Sequence, residues 1–236
     1  MGLPIRIAVV SDLHVGPHAR ATDLRVGKCK SDAIDENYIV AFEEYVEAEK
    51  ITADYLICTG DMTDRLFPDE LQVASQVLST MAKALLVPDG RIALVPGNHD
   101  SDWVPSRGDE NDTTGYRREQ QYHPLKSDRW LMSQILEECG GGLTSEGDGC
   151  FSVWDWGDLL VLGYNSAWDD DANSKVHHGL VDDDHLAAMR RRLDTYEGLD
   201  EKVCVCIVHH HPIVYSNPHP HPEVSIMANS EGLLDL

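Results

Sequence analysis

Short apolar runs alternate along this chain with segments of helical periodicity, and the apolar runs break off repeatedly in Asp, His or Asn. Residues 5–10 are apolar and rich in β-branched side chains, which predicts a strand; it ends in Ser11-Asp12-Leu13-His14. Residues 15–32 are polar, with Gly, Pro and Lys, and read as a loop. Ser31 or Asp32 can cap a helix whose apolar stripe is Ile34, Tyr38, Phe42, Tyr45 and Val46. Residues 55–58 give a second strand, which runs into Thr59-Gly60-Asp61-Met62-Thr63-Asp64. Pro68 opens the next helix, with Asp69 and Glu70 at the positive end of its dipole. Its buried face is Leu71, Ala74, Leu78, Met81 and Leu85. A third strand over residues 92–95 is stopped by Pro96 and Gly97, and Asn98-His99-Asp100 follow at once.

Residues 101–126 are polar and too long for a simple connection, so they read as a lid or an insertion; Arg117 and Arg118 there are phosphate contacts or surface charge. Residues 127–139 predict a helix, closed by Gly140, Gly141 and Gly142. Residues 150–155 and 159–164 predict a hairpin turning at Trp156-Gly157-Asp158. A second loop follows, with Asp169, Asp170 and Asp171 and the pair His177-His178; the loops at 101–126 and 165–180 are expected to shape a substrate pocket. Asp182, Asp183 and Asp184 start a helix that Arg190, Arg191 and Arg192 close, a charge order that matches the helix dipole. Residues 203–208 are almost uniformly apolar and predict a strand buried on both faces, ending in His209-His210-His211-Pro212. With no internal repeat and no linker, residues 1–236 read as one domain.

Composition narrows the function. Hydrophobic residues make up 42% and charged residues 25%, ordinary for a globular chain, but the net charge of −22 is not. It disfavours nucleic acid as a partner, since phosphates would be repelled along most of the surface. A small phosphate ester stays in play, because bound divalent cations reverse the local field. No apolar run approaches the roughly 18 residues of a membrane span, and the N-terminus lacks the long apolar stretch of a signal peptide. Six cysteines are dispersed; Cys58, Cys204 and Cys206 fall in apolar strands and read as reduced core residues, so a cytoplasmic location is expected.

The strand ends carry the chemistry. In a sheet with neighbouring strands, Asp12 and His14, Asp61, Asn98 and His99, and the histidines 209–211 converge. Carboxylate, imidazole and amide oxygen without thiolate suit Mn²⁺, Fe²⁺/Fe³⁺ or Zn²⁺. A single carboxylate, Asp61, can bridge two divalent ions at roughly 3.5–4 Å, activating a water between them for in-line attack on phosphorus.

Asp-x-His, Gly-Asp-x-x-Asp, Gly-Asn-His-Asp and a later His-His-Pro, in this order from Asp12 to Pro212, resemble the calcineurin-like metallophosphoesterase superfamily. The spacing is most similar to its bacterial cyclic-nucleotide and glycerophosphodiester phosphodiesterase branch. The resemblance implies an α/β (α+β) fold: a four-layer αββα sandwich of two mixed β-sheets with the metals at the sheets' edge. It implies Asp12 and His14 as ligands of one ion, Asn98 and His210 as ligands of the other, and Asp61 as the bridge. His99 would act on substrate or leaving group and Asp100 would orient it, while Asp64, His209 and His211 would support the ligands or meet the substrate. The superfamily also closes its site with Gly-His-x-His, which this sequence does not contain. Residues 231–236 read as the start of the helix before that motif, so a chain truncated at its C-terminus is expected; His219 and His221 are the alternative donors. Phosphodiester hydrolysis is the leading expectation. The alternatives are a phosphomonoesterase, acting on nucleotides or phosphoproteins, and a non-catalytic binding module with an incomplete metal site.

Overall fold

The computed structural model describes residues 4–27, 36–64, 68–100, 151–167, 179–213 and 226–236. The expected helix at 127–139, the loop at 101–126 with Arg117 and Arg118, most of the 165–180 loop, and His219 and His221 lie outside the described residues.

Three apolar segments form the first sheet. β1 (Ile7–Val10), β2 (Tyr55–Cys58) and β3 (Ile92–Leu94) pair in parallel, in that order. β2 lies at the centre with all four residues buried, as a strand covered on both faces must be. Val10 is level with Cys58, and Cys58 with Leu94, so the three strands end at one edge. That common edge brings Asp12, Asp61 and Asn98 together.

β4 (Phe151–Asp155) and β5 (Leu159–Tyr164) form the expected hairpin, and β6 (Val203–Ile207) adds parallel to β5. This second sheet is mixed, whereas the first is all parallel among the described residues. Side chains alternate across the second sheet with period two. Trp154, Leu159, Val161 and Ile207 join the core shared with the first sheet. Phe151, Val153, Leu160, Leu162 and Tyr164 face the other way, toward Met189 of α3 (Asp183–Leu193) and Leu233 of α4 (Glu231–Leu234). On the outer side of the first sheet, α2 (Pro68–Ala84) buries Ala74, Leu78 and Met81, and Leu85 follows just past its end. With α1 (Tyr38–Glu49) packed against α2, the layers are those of the αββα sandwich. At Gly163 the sheets approach so closely that a Cβ would meet Val95 Cγ1 at 2.8 Å. No helix among the described residues is long and apolar enough to cross a membrane.

Three expectations need correction. The helix start is not capped by residues 31–32: Asn37 holds the cap position without a side-chain bond, and the Asp23 carboxylate instead accepts from Tyr38 N (3.1 Å) and Ile39 N (2.7 Å). A carboxylate from the preceding 3-10 turn (Thr22–Leu24) thus satisfies the first N–H groups. The stripe on α1 is narrower than the periodicity suggests, since Val46 is buried but Tyr38 and Tyr45 are exposed. Finally, β6 is not buried on both faces. It pairs only with β5 among the described strands; Val203 is 49% exposed, and Cys204 and Cys206 are exposed, not core residues. Cys58 is buried as expected.

Candidate metal centre

Beyond the last sheet pairs the backbones of the β1 and β2 loops continue side by side. Asp12 N donates to Gly60 O (3.0 Å), His14 N to Asp61 O (2.9 Å) and Val15 N to Met62 O (2.9 Å). To do this, Asp12, His14 and Asp61 adopt left-handed backbone conformations, with φ of 58°, 45° and 51°. For non-glycine residues that costs roughly 1 kcal/mol or more each, strain of the kind that collects at functional sites. Gly60 (φ 104°) and Gly97 let the β2 and β3 loops touch. A Cβ on Gly60 would stand 2.6 Å from Gly97 N, and one on Gly97 would enter the Asp61 carboxylate.

Asp61 stands at the middle of the site and is 4% exposed. Its Oδ1 accepts from His99 N (2.9 Å). Its Oδ2 lies 3.6 Å from His14 Nε2 and 3.4 Å from His209 Nε2. Each histidine has a second oxygen beside it: Asp12 Oδ1 is 3.7 Å from His14 Nε2, and Asn98 Oδ1 is 3.1 Å from His209 Nε2. Two donor pairs, Asp12 with His14 and Asn98 with His209, therefore meet at one carboxylate. Donor atoms of His14, Asp61 and His99 also lie within 4.8 Å of one another.

Here the structure departs from the expected ligand set. His209, not His210, faces Asn98 and Asp61. His209 Nδ1 donates to Thr59 O (2.9 Å), because a carbonyl can only accept; the neutral ring then presents the lone pair of Nε2 to the site. His210 is buried on the opposite side, its Nδ1 2.9 Å from Ser166 Oγ and its ring against Gly179. His211 is exposed, and its carbonyl accepts from Met227 N (2.9 Å).

Asp100 also differs from expectation. It does not orient His99. Fully buried, its carboxylate accepts from Met62 N (3.2 Å), Thr63 N (2.9 Å), Thr63 Oγ1 (3.0 Å) and Gly97 N (2.9 Å), clamping the β2 loop to the β3 loop. Asp64 faces the His99 ring instead: its carbonyl accepts from Nδ1 at 3.2 Å, with Oδ1 3.9 Å away. Asp100→Ala would leave three buried N–H groups without their acceptor. The variant is expected to lose roughly 3 kcal/mol or more of stability, read as a lower midpoint in chemical denaturation.

The electrostatics are those of an anionic pocket. The neighbouring His14 imidazole holds the Asp12 carboxyl down, at about 2. His14 is raised in turn by Asp12 first, then by the charges of Asp61 and Asp100, against the effect of burial. Burial pushes Asp61 up, and the Asp100 charge adds to it, so its ionised form calls for a cation. The nitrogen and oxygen donors, the Nε2 lone pair of His209 aimed at two oxygens, and the strained backbone all fit a divalent ion.

Strand-end loops of an αββα sandwich thus gather the donor set of a candidate metal centre. The chain belongs to the calcineurin-like phosphoesterase family, whose family model matches residues 5–233. Comparison with curated proteins found no match. The chemistry of the family is metal-dependent hydrolysis of phosphate esters.

Proposed function

We propose that this chain is a two-metal phosphodiesterase. The observation that carries the reading is the position of Asp61 Oδ2 between His14 Nε2 and His209 Nε2, each with a second oxygen donor at its side. Asp12 and His14 would hold one ion, Asn98 and His209 the other, and Asp61 both; His209 thus takes the role that motif spacing assigns to His210. Divalent cations bound there supply Lewis-acid activation of water and neutralise charge on the phosphoryl oxygens.

The protein's own groups do the rest. Asp61 Oδ1 is fixed by the His99 amide, so its Oδ2 stays turned to the two histidines. Thr59 O holds His209 in one tautomer. His99, half-buried and anchored through Nδ1 to Asp64 O, keeps its Nε2 for the substrate; protonated, that nitrogen can deliver a proton to the departing alkoxide. Asp100 acts at one remove, by locking the loops that carry Asp61 and Asn98.

A diester suits this centre better than a monoester. Asp12, Asp61, Asp64 and Asp100 crowd the site in a chain of net charge −22, and a monoanionic diester is repelled less than a dianionic monoester. With Mn²⁺ added, bis(p-nitrophenyl) phosphate is expected to turn over at least about tenfold faster, by kcat/KM, than p-nitrophenyl phosphate. The reverse ratio would make the chain a phosphomonoesterase.

A further inference from the structure

A cavity of about 690 Å³ adjoins the candidate centre, within the size range of small-molecule sites. Asp12, His14 and Asp64 line it on the side of the metal donors. Its other described walls come from the loop after β1, the 3-10 turn, the first turns of α1 and Met81 of α2; Ser11, His18 and Arg20 add polar groups there, but most of that lining is apolar. Leu24, Ile39 and Phe42 present apolar surface, with Leu24 buried and the other two half-buried. Tyr38, 42% exposed, adds an aromatic ring on the solvent side. This wall is rigid. Asp23 ties the 3-10 turn to the start of α1 through two hydrogen bonds, and Arg25 Nε donates to Ala19 O at 3.2 Å. Arg20 lines the same cavity, and among the described residues its guanidinium has no ion-pair partner, although acidic residues outnumber basic ones 41 to 19.

A donor-lined wall that continues directly into a preformed apolar wall separates two parts of one ligand. We propose that the cavity receives the organic group of the phosphoester, and that it selects a ring-bearing, largely apolar group over a small polar alcohol. The inference rests on the phosphoesterase reading and adds the substrate class to it. Against the Leu24, Ile39 and Phe42 surface a small polyol would lose water without gaining partners for its hydroxyls. An aromatic ring instead covers the Leu24, Ile39 and Phe42 surface and packs on the Tyr38 ring. Arg20 then meets an anionic oxygen of the same ligand.

The test compares phenylphosphonate with methylphosphonate, which share the phosphoryl head and resist hydrolysis. Their affinities are measured by calorimetry on the Mn²⁺-loaded chain and on Tyr38→Phe, Tyr38→Ala and Arg20→Ala. Tyr38 and Arg20 are exposed, so these variants leave the core untouched. The wild type is expected to bind phenylphosphonate at least about tenfold more tightly. Tyr38→Ala should reduce that preference about fivefold, Tyr38→Phe should keep it, and Arg20→Ala should weaken both ligands alike. Equal affinities in the wild type, or a Tyr38→Ala variant that keeps the full preference, would overturn the assignment while leaving the phosphoesterase reading intact. Failure of both phosphonates to bind, with no turnover of any ester, would remove that reading and this inference together.

Discussion

Asp61→Asn is expected to abolish metal-dependent ester hydrolysis, lowering kcat by about 10³-fold or more, with the fold retained. Asparagine keeps the shape of the side chain, and the His99 amide can still donate to its oxygen, so the β2 and β3 loops stay together. What disappears is the negative charge between His14 and His209. Burial already works against that charge in the free protein, so relief of a buried carboxylate should leave the variant as stable as the wild type, or more so. Turnover and thermal melting on the same preparation separate the two effects. A variant that lost both would mean that Asp61 holds the loops rather than the ions.

The second large effect is expected at neighbouring positions with opposite outcomes. His209→Ala should weaken Mn²⁺ binding and cut hydrolysis by roughly 10²-fold, because it removes the nitrogen that faces Asn98 and Asp61. His210→Ala should leave hydrolysis within a few-fold of wild type and instead cost roughly 2–3 kcal/mol of stability. It removes a buried ring, the bond to Ser166 Oγ and the packing on Gly179. Calorimetric Mn²⁺ titration with denaturation curves reads both. If His210→Ala were the inactive variant, the assignment would revert to the one the motif spacing suggests.

The choice between these histidines separates what the chain reveals from what it hides. The strand ends that carry the candidate donors are legible, because three apolar runs in one α/β pattern each break off in Asp, His or Asn, and ordinary turns would not repeat that chemistry. The level ends of β1, β2 and β3 then follow from parallel pairing. For the run at 209–211, spacing to Pro212 points to His210, but period two places His209 on the side of Asn98 and Asp61. Val205 and Ile207 face the first sheet, so His209 continues on that side, while Val208 and His210 point away from it. That parity is present in the sequence and is the better guide.

Asp100 is not readable in the same way. Its place next to His99 suggests an orienting carboxylate, but three of its four hydrogen bonds reach across to Met62 and Thr63 through loop contacts that no local pattern encodes, and the fourth returns to Gly97. The cap on α1 is hidden for the same reason, since Asp23 is 15 residues from Tyr38. For β6, an apolar sequence suggests a central strand. Apolar character alone does not distinguish a strand covered on both faces from one with a single neighbour among the described strands, whose Cys204 and Cys206 are exposed.

The most direct test of the two-ion centre is electron paramagnetic resonance of the protein titrated with Mn²⁺. Two equivalents should bind and give the spectrum of an exchange-coupled pair in the wild type, and the coupling should vanish in Asp61→Asn, where the shared carboxylate is gone. A single equivalent with an uncoupled spectrum in the wild type, at any metal concentration, would contradict the account.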